Sequence, residues 1–170
     1  MSFINIGIFT IFLIITSLTI FGYIVSVITD YIENNKFIEE LKFKQVQKKI
    51  QRLENHTIVC GFGRNGKQAM ARLESYKKGC VIIESDPELI EEIELAGDML
   101  YIRGDATSDE VLLGAGIERA SSLITTLPSD ADNLYVVLSA RQLNSECTIV
   151  SRASIDTSYK KLKVAGADNV

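Results

Sequence analysis

The chain opens on an unbroken apolar run. No charged side chain occurs between Phe3 and Thr29, and that length exceeds the roughly 20 residues a helix needs to cross a bilayer. Residues 3–29 are therefore expected to form one transmembrane helix. The run is too long for a signal peptide, lacks a basic residue before it and is not followed by a small-residue cleavage site. Gly22 within it reads either as a hinge or as a small residue at a helix contact. The pattern then changes. Phe37, Ile38 and Leu41, followed by Phe43, Val46, Ile50 and Leu53, recur at three- and four-residue steps, with no Gly or Pro from 31 to 53. That is the helical period, so residues 30–55 are expected to be a helical linker, apolar on one face and charged on the other.

From residue 57 short apolar runs alternate with helical stretches. Strands are expected at 57–60, 80–84, 99–102, 122–127 and 147–151, with another beginning at 167–170. Helices are expected at 67–75, 87–96, 108–115, 131–142 and 156–165. Such alternation produces a parallel, doubly wound sheet with helices on both faces. Residues 56–170 are thus expected to be one α/β domain of Rossmann-like type. Ligands of these sheets bind at the carboxyl ends of the strands, which here carry a glycine loop, Glu84, Asp105 and Thr126.

That loop is Gly61-Phe62-Gly63-Arg64-Asn65-Gly66, a GxGxxG placed after a strand and before a helix. Gly61 allows the tight turn, Gly63 lets a pyrophosphate approach the backbone, and Gly66 lets the helix pack close to the sheet. The helix N-terminus offers free N–H groups and partial positive charge to a phosphate, and Arg64 stands at the same end. Glu84 follows Gly66 by eighteen residues and ends the second strand. A carboxylate there accepts from ribose hydroxyls and repels a 2′-phosphate, which favours NAD(H) or an adenine nucleotide over NADP(H). Asp86 competes for that role, although Asp86-Pro87 also reads as a helix cap. Ser85 lies between the two and completes the candidate set.

Composition narrows the partners. The chain has 170 residues, 46% of them hydrophobic, a formal charge of −4 and a pI near 5.1. That acidity argues against nucleic acid. Cys60, Cys80 and Cys147 are far apart, and with His56 as the one histidine no metal set is expected. Cys60 and Cys80 lie in strand-like runs and read as buried free thiols. Lys36, Lys42, Lys44, Lys48, Lys49 and Arg52 all follow the apolar run, so the remainder of the chain is expected in the cytoplasm, beneath the inner membrane. An NAD-dependent oxidoreductase would need a proton donor beside the nicotinamide and a substrate domain. No histidine follows Glu84 and Tyr135 reads as core-facing, so no catalytic residue is assigned and an enzyme is not expected.

The blocks HTIVCGFGRNGKQAM, VIIESDPE, GDAT, DADNL and AGADNV together resemble the RCK domain, also called the TrkA N-terminal domain, which regulates bacterial potassium channels and transporters. The resemblance runs from His56 to Val170, and the apolar helix resembles the pore-lining inner helix of a two-helix potassium channel. It implies that Gly61, Gly63, Arg64 and Gly66 hold phosphates, that Glu84 holds a ribose, that Asp105 and Ala106 lie beside the adenine, and that Thr125 and Thr126 face the ligand across the crevice. It implies NAD(H), ATP, ADP or AMP as ligand. It also implies a homo-oligomer paired through the later helices, in a tetrameric or octameric ring beneath a potassium pore. Ala153, Ile155, Tyr159, Leu162 and Val164 are candidates for that pairing, or for ordinary core. A ligand gates such a ring only by binding its open and closed forms differently. The sequence departs from the family in three respects. It holds no TVGYG-type filter. It stops at AGADNV, where family members continue into a second lobe, so it is expected to be a fragment or a helix-anchored N-lobe. Arg152 and Ser154 stand where some members bind calcium and offer no carboxylate; Arg152 suits a phosphate or a carboxylate across a subunit contact. A membrane-anchored nucleotide sensor of a non-channel transporter is the alternative role.

Overall fold

Strand-forming runs rich in Val, Ile and Thr build, among the described residues, a five-stranded sheet, all of it parallel, in the order 100–103, 80–84, 57–60, 122–125, 148–151. The computed structural model describes residues 2–33, 44–76, 78–97 and 99–170, in two units, Met1–Phe43 and Lys44–Val170. The first contains one helix, α1 (Ser2–Glu33). Its apolar stretch Ile6–Thr29 covers 24 residues, about 36 Å of helix, which is long enough to cross a membrane. Leu, Ile and Phe side chains are exposed along that stretch. The hydroxyls of Thr10, Thr16, Thr19 and Thr29 donate to carbonyls three or four residues back, which satisfies them inside the helix. Phe37, Ile38, Leu41, Phe43, Lys36 and Lys42 lie outside the described residues.

The second unit starts with α2 (residues 44–50). Then follow β1 (Thr57–Cys60), α3 (Arg64–Ser75), β2 (Cys80–Glu84), α4 (Pro87–Ala96), β3 (Leu100–Arg103), α5 (Asp109–Gly114), a 3-10 turn (Ile117–Arg119), β4 (Ser122–Thr125), α6 (Asp130–Leu143), β5 (Thr148–Ser151) and α7 (Asp156–Ala165). Strand side chains alternate between two cores, one on each face of the sheet. Val59 and Ile82 pack with Met70 of α3 and Ile93 of α4. On the other side Ile58, Cys60, Val81, Ile83, Leu123 and Ile149 pack with Ile50 of α2, Leu112 of α5, Val136 and Val137 of α6, and Leu162 of α7. The register pairs Cys60 with both Ile83 and Thr125. The strand order reverses between β1 and β4, and their carboxyl ends are where a sheet of this kind opens a crevice.

The helix after the glycine loop begins at Arg64, three residues before the expected 67. A glycine is a poor helix former, so Gly66 hid the first turn. Residues 167–170 form no strand; Asn169 makes a single parallel bridge to Val150. Tyr135 is 64% exposed, not core-facing, because Val136, Val137 and Ala140 carry the buried face of α6. Cys60 and Cys147 are buried thiols, whereas Cys80, the first residue of β2, is half-buried.

Candidate functional site

The glycine loop is shaped by two of its glycines. Gly61 has φ +90°, a left-handed conformation that strains any side chain. Gly66 stands so close to the loop that a Cβ there would lie 2.0 Å from the Gly61 carbonyl oxygen. Gly63 differs: it is the extended N-cap of α3, and a Cβ there would meet nothing within 4 Å. Open space above a helix N-terminus is what an incoming phosphate requires. Arg64 and Asn65 are exposed in the first turn beside it. Phe62, by contrast, turns its ring into the core with Val59 and Met70 and contributes its backbone. The Lys67 ammonium lies 5.5 Å from the centre of that ring and pairs with Glu92; the sequence reading gave it no role.

Glu84 closes the loop from the neighbouring strand. It is 8% exposed, and its carboxylate accepts three backbone N–H groups. Oε2 accepts from Phe62 at 2.6 Å, while Oε1 accepts from Ser85 at 2.7 Å and Asp86 at 2.9 Å. Such charge-assisted bonds are among the stronger ones, so the residue assigned to a ribose also anchors the glycine loop to the end of β2. Of its four lone-pair positions, one on Oε2 is left for an outside donor. Asp86 caps α4, its Oδ1 accepting from the Glu88 N–H at 2.9 Å. Ser85 and Asp86 are exposed at the rim.

A crevice of about 180 Å³ lies between these strand ends, lined by Glu84, Ser85, Asp105, Ala106, Leu127 and Asp132 among others. Asp105 folds the turn after β3 by accepting from the Thr107 N–H and hydroxyl. Ala106 is buried in the crevice floor. Glu84, Asp105 and Asp132 make this end acidic, whereas Arg64 and the helix N-terminus make the loop end positive. The structure thus brings Glu84, Ser85, Asp105 and Ala106 to one crevice, with the loop joined to it through the Phe62–Glu84 bond.

Thr126 and Thr125 play different parts. The Thr126 hydroxyl spans the Cys60 and Gly61 carbonyls at 3.2 Å each, tying β4 to the loop. Thr125 is fully buried and its hydroxyl donates to Asn133 Oδ1 at 2.6 Å, so its side chain does not line the crevice. Asn133 was missed by sequence reasoning although it stands in the DADNL block. It also accepts from the Leu127 N–H at 3.0 Å and donates to the Leu127 and Arg152 carbonyls, so one buried amide fixes the crevice wall. Arg152 donates to the Leu127 carbonyl at 3.0 Å, and the Ser154 N–H donates to Asp130. Among the described residues no group of carboxylates, histidines and cysteines is arranged to hold a metal.

Residues 57–170 match the TrkA-N domain family. A relative, the probable potassium channel protein 2 of Methanocaldococcus jannaschii, is 40% identical over 150 residues, which is 87% of this chain and 44% of that protein. The chain thus spans less than half the length of this curated relative. The crystal structure of the TrkA-N domain of the inner membrane protein ybaL from Escherichia coli superposes with a TM-score of 0.66 at 28% identity, covering 70% of this chain and 87% of that one. The GsuK channel shares the fold, with a TM-score of 0.64 at 24% identity over 70% of this chain. Its structures cover the ADP-bound protein, of which the match takes 31%, and the NAD-bound channel, of which it takes 21%.

Proposed function

The chain belongs to the TrkA-N domain family, and on that premise we propose that it is the nucleotide-sensing regulatory part of a potassium channel or potassium transport system. The observation that carries this reading is the open glycine loop at Gly63, hydrogen-bonded through the Phe62 N–H to the buried Glu84 carboxylate that lines the neighbouring crevice. Phosphates would be held by the N–H groups of Gly63 through Gly66 and by Arg64. A ribose hydroxyl would donate to the remaining lone pair of Glu84, and the adenine would lie toward Asp105 and Ala106. The acidic lining repels a 2′-phosphate, so the ligand is NAD(H) or an adenine nucleotide. ADP and NAD bound to GsuK support that ligand class.

Residues 3–29 would span the inner membrane once and residues 30–55 would link them to a cytoplasmic domain from 56 onward. The likeness to a potassium channel protein supports a role beside a potassium pore. Val164, Tyr159, Leu138 and Tyr135 expose apolar surface on α6 and α7, and this supports pairing of copies through those helices in a ring. The domain performs no reaction in this reading; its output is a change of ring shape. The likeness to the putative cation/proton antiporter YbaL of Escherichia coli, 29% identical over 116 residues, favours a second reading, the same sensor attached to a non-channel transporter.

The test is titration of the full chain, reconstituted in lipid discs, with NAD, NADH, ATP, ADP and AMP, following heat of binding and assembly state together. Saturable binding of one nucleotide that also shifts assembly is expected. Binding that leaves assembly and subunit cross-linking unchanged would sink the sensor role, since a ligand without differential affinity shifts nothing.

A further inference from the structure

Helix α2 has two faces of opposite chemistry. Ile50 is fully buried in the core, and Val46 and Leu53 pack against the same cluster. The other face carries Gln45, Lys48 and Lys49, which together with Arg52 in the following turn line one shallow surface groove, with Lys44 one turn before Lys48. Steps of three and four residues bring these side chains into a single stripe, and Lys44, Lys48, Lys49 and Arg52 are all exposed. Among the described residues none of the four forms an ion pair. The thirteen residues LKFKQVQKKIQRL, positions 41–53, carry five basic side chains and no acid, in a chain whose net charge is −4. Like charges one turn apart repel, and the nearest acids in sequence, Glu39, Glu40 and Glu54, flank the run rather than interrupt it.

The occupant that this stripe's charge complements is anionic. Ten residues of sequence separate Glu33, the end of α1, from Lys44. The stripe lies on the element that enters the amino end of β1, whereas the nucleotide crevice is at the carboxyl ends of the strands. We propose that this face of α2 is a seat for the anionic headgroups of the membrane that α1 enters. Lysine and arginine donate charge-assisted hydrogen bonds to phosphate oxygens, and basic clusters beside a membrane helix are drawn to anionic lipid within a Debye length of its surface. The seat would hold the start of the regulatory domain at the membrane, independent of the nucleotide.

The inference rests on membrane insertion of α1, and one experiment separates the two. The full chain is reconstituted in discs of phosphatidylcholine alone, or with one quarter phosphatidylglycerol, and its lysines are acetylated and read by mass spectrometry. Modification of Lys44, Lys48 and Lys49 is expected to slow by about five-fold in the anionic discs, the factor that attraction of one charge supplies. It should recover at high salt, with Lys160 and Lys161 of α7 unchanged. In the variant Lys48→Gln/Lys49→Gln/Arg52→Gln, Lys44 should lose its protection while β1 keeps its hydrogen-exchange protection. Equal rates in both discs, equal slowing at Lys160 and Lys161, or protection already complete in neutral discs would overturn the lipid seat. A chain that fails to co-purify with discs would instead overturn the membrane reading itself.

Discussion

Replacing Glu84 by glutamine keeps the side chain's shape and removes one acceptor. The best placement of the new amide leaves its oxygen toward Ser85 and Asp86, where Oε1 accepts two N–H groups, and turns its NH₂ toward the Phe62 N–H, now 2.6 Å from Oε2. Two donors then face each other in a site that is 8% exposed. An unsatisfied buried N–H costs about 1–3 kcal/mol, and the lost charge assistance adds to it. The reverse placement strands two N–H groups instead of one, so about 2 kcal/mol is the smaller loss. Amide hydrogen exchange, read at Phe62, should accelerate by about 30-fold, the equivalent of that energy. Ser85 and Asp86 sit at the exposed rim and should change little. Glu91→Gln on the exposed face of α4 is the control and should leave Phe62 unchanged. Phe62 exchanging within two-fold of the parent would refute the reasoning, because the loop would then not depend on the carboxylate.

Other consequences are equally direct. Gly66→Ala gains about 1 kcal/mol of helix propensity but drives a Cβ to 2.0 Å from the Gly61 carbonyl; a net loss of about 1–3 kcal/mol is expected in urea unfolding. His56 is buried with Nε2 on the Ala115 carbonyl and Nδ1 without a partner. Burial lowers its pKa from 6.5, the hydrogen bond to Ala115 opposes this, and the Arg119 charge lowers it further. The unfolded chain therefore binds a proton that the folded chain refuses, so stability is full above pH 6.5 and falls as the pH drops below it. In His56→Phe the slope of stability between pH 5 and 7 should flatten, as urea midpoints would report. Val164 is 89% exposed on α7; if copies pair through that helix as proposed, Val164→Asp should give a smaller sedimenting species than the parent without lowering stability by more than about 0.5 kcal/mol.

How far the sequence spoke depended on the kind of signal. Alternation of apolar runs located all five strands and the parallel winding, because burial on both faces imposes that pattern. α4 and α7 fell at their expected bounds, since Pro87 starts one and Gly166 ends the other. The helix start at Arg64 did not, because Gly66 serves packing against the loop and suppresses the local helix signal. In the site, the strand-end position of Glu84 was legible from spacing. Its three backbone donors were not, since one of them, Phe62, stands in a loop twenty-two residues before Glu84, while Ser85 and Asp86 belong to the turn that follows it. Asn133 was hidden for a similar reason: its partners are Thr125, Leu127 and Arg152, and a buried amide in a helix has no periodic signature. Thr125 and Thr126 are adjacent and alike in sequence, but the pleat sends them to opposite surroundings.

The central claim, that the glycine loop and the crevice at Glu84 together take a nucleotide, is tested most directly with Gly63→Val. Gly63 has φ −67° and nothing within 4 Å of a Cβ, so the domain should still fold, at a cost of about 1 kcal/mol for valine at an N-cap, while the valine fills the space a phosphate needs. Calorimetric titration of parent and variant with NADH, NAD, ATP, ADP and AMP should show saturable binding of one nucleotide to the parent. The variant should show none, with a cooperative urea transition that is lowered by no more than about 1 kcal/mol. Equal binding by a folded Gly63→Val chain, or no binding of any of these nucleotides by the parent, would contradict the account.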